Sequence, residues 1–248
     1  MNNLYTIVLC EGESDAILIG FYLQNILNWS YYRPRKMDKN LPKLGEANLH
    51  FYRNKRITDD NWIIVCPCNG VDSFPQVLQS IKENNDMQLI FNKIIIISDN
   101  DDKFSIEKIN KYLSNFVGTD LFLRPTEIFS FNVSDAYQSN INAQIMFLLW
   151  PNDRYGAMES FIVDIIKDGY DEKEKLVSSI DLFIENIDYN DFLGQRREQV
   201  KAELSILLAV LFPEKIFESI RDYLETLDWS RYEQYKLFLS SINQIILE

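Results

Sequence analysis

Leu4-Tyr5-Thr6-Ile7-Val8-Leu9-Cys10-Glu11-Gly12-Glu13-Ser14-Asp15 is an apolar run that ends in a cluster of acids around a single glycine. The run 4–10 is short, apolar and closed by a glycine-containing turn, which reads as a buried strand. The pattern recurs at Ile94-Ile95-Ile96-Ile97-Ser98-Asp99-Asn100-Asp101-Asp102. Four consecutive isoleucines suit a strand buried on both faces, the habit of parallel sheets. Carboxylates at the mouth of an apolar strand must stay hydrated, find a partner or hold a cation. Two strands of one parallel sheet bring both clusters to its carboxyl edge, where open α/β sheets bind ligands.

Working outward, residues 14–27 read as the helix that follows the first strand, and 62–66 as a further core strand closed by Pro67 and the turn Asn69-Gly70. Asp72 or Ser73 caps a helix to about residue 82. A helix over 104–116 and strands over 120–123 and 128–133 follow, while 48–52 and 55–58 read as a small hairpin. Strand and helix alternate, which implies parallel βαβ units. After Trp150-Pro151 only helical periodicity remains, over 157–167, 172–187, 196–211, 214–226 and 229–246. The expectation is an α/β domain over 1–150, with a mainly parallel sheet flanked by helices and a basic insertion at about 28–60. An α-helical extension over 151–248 is expected to complete the site and pack on the sheet.

Hydrophobic residues make up 46% of the 248 and aromatics 13%, enough to bury a full core. No apolar run reaches the roughly 18 residues of a membrane-spanning helix, so no membrane partner is expected. The start lacks a basic n-region, and three cysteines without framework spacing predict reduced thiols in a cytoplasmic protein. The net charge of −12 is unevenly spread. Residues 31–57 carry eight basic side chains against two acidic ones, a local +6 that leaves −18 elsewhere. Arg33, Arg35, Lys36, Arg53, Lys55 and Arg56 are therefore candidate nucleic-acid contacts, with Tyr31, Tyr32 and Tyr52 interleaved for stacking. The other reading of this stretch is a solvated basic loop.

An acid-glycine-x-x-acid turn after the first strand and an apolar strand ending in Asp-x-Asp together resemble the Toprim fold of topoisomerases, primases and small nucleases. Asn69-Gly70 matches the glycine that many such domains carry after the second strand. The chain further resembles the Toprim domains of the overcoming-lysogenization-defect nucleases and their small relatives. Gly156-Ala157-Met158-Glu159 looks like their Gly-x-Leu-Glu turn, with methionine in place of leucine, and Lys201 stands where they carry a lysine ahead of an apolar stretch. The longer basic segment between the first core strands departs from their pattern. The resemblance implies a Toprim-like, Rossmann-like fold and a Mg²⁺- or Mn²⁺-dependent nuclease, in a setting of defence against phage or mobile elements; no P-loop is present, so any ATPase partner is expected to be a separate chain.

Within that frame, Glu11, Asp99 and Asp101 are the candidate ligands of one ion, since residues two apart on an extended segment point the same way. Glu11 can also act as a base. Asp15, one helical turn on, and Glu159 are candidates for a second ion, and Lys201 for the charge that builds on a phosphoryl group. Asp15 suits a helix-start acid equally well, and a helical Glu159 or Lys201 is otherwise a surface residue. His50 is read as no ligand, and Cys66-Pro67-Cys68 lacks zinc spacing. Phosphodiester hydrolysis of DNA or RNA is the leading function. A non-catalytic module binding nucleic acid or an ATPase, and a small-molecule phosphotransfer enzyme, are the alternatives.

Overall fold

A computed structural model of the chain describes residues 3–34, 41–45, 47–54, 62–86, 89–134, 140–168, 171–186, 193, 196–215 and 219–247. Among the described residues, seven strands form one mixed sheet in the order β2-β3-β4-β1-β5-β7-β6. They are β1 (Asn3–Cys10), β2 (Trp29–Tyr32), β3 (His50–Asn54), β4 (Trp62–Pro67), β5 (Leu89–Asp99), β6 (Phe129–Ser134) and β7 (Asn140–Trp150). The four central strands, β4, β1, β5 and β7, run parallel. The edges turn antiparallel, with β3 between β2 and β4, and β6 against β7. The sheet is thus parallel where it is buried on both faces and antiparallel at its margins, in keeping with the coverage each type needs.

The period of two along each strand sends alternate side chains into separate cores. Val8, Cys10, Ile95, Ile97, Met146, Leu148 and Trp150 face one way. On that face lie α1 (Glu13–Phe21) and the C-terminal helices α4 (Met158–Asp168), α5 (Asp171–Glu185), α6 (Arg196–Leu211), α7 (Ile220–Thr226), α8 (Glu233–Ser240) and α9 (Asn243–Ile246). Ile7, Leu9, Ile94, Ile96, Phe147 and Leu149 face the other way, under α2 (Phe74–Asp86) and α3 (Ser105–Val117). Among the described residues no helix is long and apolar enough to cross a membrane. The three cysteines are free and buried.

Several local expectations need correction. Residues 140–150 form β7, which the sequence reading does not anticipate; it pairs parallel to β5 from Lys93↔Gln144 to Asp99↔Trp150. Residues 120–123 are not a strand, because Asn110 and Ser114 of α3 hold them as a loop, Asn110 Oδ1 accepting from Leu123 N–H at 2.7 Å and Ser114 Oγ from Leu121 N–H at 3.0 Å. The hairpin's first arm is β3, and its partners are β2 and β4; its second arm, 55–58, lies outside the described residues. The helix expected over 14–27 is α1 followed by a π-helical turn, Tyr22–Ile26. Tyr22 there donates to Asn243 Oδ1 at 3.2 Å. The helix expected over 229–246 is broken into a 3₁₀ turn, α8 and α9.

Candidate functional site

β1 and β5 are neighbours, and Cys10 stands opposite Ile97. Glu11, which follows β1, and Ser98-Asp99, which end β5, therefore stand side by side at the carboxyl edge of the sheet. Glu11, Asp99 and Asp15 are only 8%, 6% and 6% exposed. Glu11 Oε1 accepts from the Ser98 hydroxyl at 2.5 Å and from the Asp99 N–H at 2.8 Å. Asp99 Oδ1 accepts from the Met158 N–H at 3.0 Å, at the first residue of α4. Asp15 Oδ2 accepts from the Gly12 N–H at 2.8 Å, closing the start of α1.

Two turns brace the cluster. After β4, Gly70 holds φ +105°, a conformation that favours glycine, and its N–H reaches the Glu11 carbonyl at 2.8 Å. The Cys68 N–H reaches the Cys10 carbonyl at 2.9 Å. On the other side, Asn100 fastens the loop after β7. Its side-chain amide donates to the Pro151 and Arg154 carbonyls at 3.2 and 2.8 Å, and its own carbonyl accepts from the Gly156 N–H at 2.8 Å. A Cβ on Gly156 would stand 2.6 Å from Pro151 Cδ, so the close approach of this loop requires glycine.

Burial, followed by the charges of Glu11 and Asp15, pushes the Asp99 carboxyl up to about 9, against the pull of the Met158 N–H. Burial also raises Asp15 to about 7, opposed by the Gly12 N–H and reinforced by Glu11 and Glu159. The Cys10 thiol is pushed well up by burial and then by Asp15. Glu11, Asp15, Asp99 and Glu159 thus share one electrostatic neighbourhood, in which the acids raise the cost of ionising Asp15 and Asp99. The hydrogen bonds above fall on Oε1 of Glu11, Oδ2 of Asp15 and Oδ1 of Asp99.

This donor set is all oxygen and anionic, which suits a hard divalent ion. Among the described residues, no group of three or more His, Cys, Asp or Glu side chains is drawn together into a ready-made metal cage. Mg²⁺ commonly takes one or two carboxylates and completes its shell with water and substrate phosphate, so the chemistry fits without such a cage.

The other sequence candidates fall around this centre. Asp101 is exposed, beyond the end of β5. Glu159, in the first turn of α4, is 16% exposed, and Lys201 Nζ of α6 lies 4.0 Å from its Oε1 with a side chain 53% exposed. Arg33 is exposed just after β2. The Arg53 guanidinium lies 5.6 Å over the Trp62 ring. Arg35, Lys36, Lys55 and Arg56 lie outside the described residues. His50, buried on β3, places Nε2 2.8 Å from Glu13 Oε1. Sequence reasoning passes over Ser98, Asn100 and the Met158 N–H. Serine and asparagine at a strand end carry a turn signal, and nothing local announces partners more than fifty residues away.

Neither a protein-family model nor a curated protein matches the chain. Among solved structures, the chain is similar to a hypothetical protein, PH0156, from Pyrococcus horikoshii OT3, at 12% identity and a TM-score of 0.48, over 96% of this chain and 99% of that one.

Proposed function

We propose that the protein is a divalent-metal-dependent phosphodiesterase acting on nucleic acid, with a Toprim-like fold of the overcoming-lysogenization-defect type. One observation carries this reading. Glu11, Asp15 and Asp99 come from two adjacent parallel strands and the helix after the first, and they converge, buried, at the carboxyl edge of the sheet. Buried carboxyls that raise one another's values are costly to ionise unless a cation offsets them. Glu11 and Asp99 would hold such an ion, with Asp101 as a further ligand, and Asp15 and Glu159 would serve a second. When bound, the ion supplies Lewis-acid polarisation of the phosphoryl group.

The chain's own residues set the frame. Ser98 and the Asp99 N–H fix the rotamer of Glu11. The Met158 N–H fixes Asp99. Lys201, mostly in solvent beside Glu159, is placed to offset charge on a phosphate at the mouth of the site. Arg33 and Arg53 add cationic contacts on the β2–β3 side.

The test is cleavage of labelled single- and double-stranded DNA and RNA with Mg²⁺, Mn²⁺ or EDTA, comparing wild type with the Asp99→Asn/Asp101→Asn double variant. Metal-dependent cutting that the double variant loses is the expected result. Absence of cutting by the wild type on every polymer would sink the enzyme reading. The lack of a ready-made three-residue cage among the described residues favours a second reading, a non-catalytic module that binds nucleic acid or an ATPase. That module would bind nucleic acid equally well in Mg²⁺ and in EDTA.

A further inference from the structure

The two margins of the sheet differ. β2, at one edge, has four residues and runs directly into the exposed Arg33; a short strand with a charged neighbour is a protected edge. β6, at the other edge, has six residues, Phe129-Ser130-Phe131-Asn132-Val133-Ser134. It carries no charged residue and no proline, and neither does its neighbour β7. β6 pairs with β7 from Phe129↔Ile145 to Ser134↔Asn140 without a bulge. In an antiparallel pair, every second residue of an edge strand turns its N–H and C=O outward. Among the described residues, no backbone hydrogen bond joins β6 to any element but β7. A regular, uncharged edge with open donors and acceptors is a template for a further strand.

The side chains decide which strand fits. Phe129, Phe131 and Val133 alternate onto the face covered by α2 and α3, and all three remain half-buried. Phe131 packs edge-on against Phe116 of α3, with ring centroids 6.0 Å apart, and stacks on Phe129 at 6.3 Å. Ser130 and Asn132 stand on the opposite face, exposed. Laid antiparallel on a second copy of itself, about a two-fold axis through Phe131, the strand sets Phe129 opposite Val133 and Phe131 opposite Phe131. On the other face Ser130 stands opposite Asn132. Apolar meets apolar and neutral polar meets neutral polar, as an isologous contact requires. A slip of one residue would set phenylalanine against asparagine. The whole-chain charge of −12 repels a second copy, yet at about 0.15 M salt that repulsion is screened beyond roughly 8 Å, and neither β6 nor β7 brings a charge to the contact.

We infer that β6 is a self-association edge: two copies of the chain pair through it, antiparallel about Phe131, and join their sheets into one. The half-exposed Phe129, Phe131 and Val133 supply the apolar contact, and the open backbone edge supplies the hydrogen bonds. Strand pairing alone covers little surface, which places the contact among the weak, concentration-dependent ones. β6 pairs only with the amino half of β7, away from the carboxyl edge that holds Glu11 and Asp99, so the inference does not depend on the phosphodiesterase reading.

The experiment is analytical ultracentrifugation of the full chain from about 5 to about 500 µM, in about 0.15 M NaCl. Wild type is expected to dimerise with a Kd of about 100 µM or tighter. Ser130→Lys/Asn132→Lys sets lysines opposite one another across the axis, at exposed positions, and is expected to weaken the dimer by about tenfold or more while melting stays unchanged. Ser130→Glu/Asn132→Glu is expected to do the same. An equimolar mixture of the two variants should associate at least as well as wild type, because each lysine then faces a glutamate. Independently of any variant, amide hydrogen exchange of wild type over 129–133 should slow as the concentration rises. A wild type that stays monomeric at about 500 µM overturns the inference. So does a dimer that persists in both charged variants, a mixture that fails to associate, or exchange over 129–133 that does not respond to concentration.

Discussion

The carboxylate of Asp99 accepts a hydrogen bond from the main-chain N–H of Met158, 59 residues further along, and so ties the end of β5 to the first turn of α4. A helix N-terminus favours an anion placed against it. Here that help is outweighed, because burial and the charges of Glu11 and Asp15 together hold the Asp99 carboxyl near 9. The folded protein therefore favours the protonated form of a carboxyl that is ionised in water. That preference gives the site its measurable consequences.

The first consequence is a pH dependence of stability. The folded value of Asp99, about 9, lies above the ordinary value of 3.8, so the native state keeps a proton that the unfolded chain releases. Asp15 behaves in the same way, from 3.8 up to about 7. Their contribution is full below the unfolded value near 4 and declines as pH rises through the folded values. Without divalent ions, the melting temperature is expected to fall between about pH 5 and 9, and Asp99→Asn to flatten that fall. At pH 8 the variant should be more stable than wild type by at least about 1.4 kcal/mol, the worth of one pKa unit. Scanning calorimetry across that range in EDTA checks it; a wild-type curve that rises with pH would contradict the raised carboxyls.

A cation should reverse the same penalty. Mg²⁺ or Mn²⁺ that binds only the folded chain stabilises by about 2.7 kcal/mol at a hundred times its Kd. At pH 8 a melting shift that saturates with Mg²⁺ is expected in wild type, and Glu11→Gln should lose most of it. An equal shift with Na⁺ at matched ionic strength would assign the effect to screening rather than to a site.

How much of this was legible beforehand depends on distance along the chain. The two acidic strand ends were legible, because a four-isoleucine strand and an aliphatic strand each stop at carboxylates and need little context. Their adjacency followed from a parallel sheet. β7 was missed although its buried end, Ile145 to Trp150, is as apolar as β5. Its first half, Asn140-Ile141-Asn142-Ala143-Gln144, is half polar, and only pairing with β5 and β6 makes one strand of the whole. The loop at 120–123 looks like a strand because Leu121-Phe122-Leu123 is a short apolar run, yet two polar side chains of α3 claim its backbone donors first. The Asn100 clamp was invisible because both carbonyls it serves belong to a loop some fifty residues away.

That clamp predicts the behaviour of Gly156. An alanine there would bring a Cβ to 2.6 Å from Pro151 Cδ and 3.2 Å from Ser160 Oγ. The loop must shift, and the N–H that bonds the Asn100 carbonyl shifts with it. Gly156→Ala is expected to cost about 1–3 kcal/mol, the usual range for overpacking. Because the same loop leads into the N–H that holds Asp99, the variant should also lose divalent-ion affinity when measured by titration calorimetry. Wild-type stability and affinity together would show that the loop has room the geometry denies.

Lys201 separates a structural role from a chemical one. Its ammonium stands 4.0 Å from Glu159 with 53% of the side chain in solvent, and a pair this exposed contributes about 0–1 kcal/mol. Lys201→Ala should therefore leave the denaturation midpoint nearly unchanged. If the lysine offsets charge on the phosphoryl group, the same substitution lowers kcat/KM for polymer cleavage by about a hundredfold or more, as the loss of one preorganised transition-state donor does. Lys201→Arg keeps the charge but changes reach and shape, and it should restore part of the rate. Single-turnover cleavage by the three proteins at saturating Mg²⁺ reads this directly. A Lys201→Ala rate within about twofold of wild type, a difference of only some 0.4 kcal/mol in barrier, would remove the residue from the site and leave it as surface.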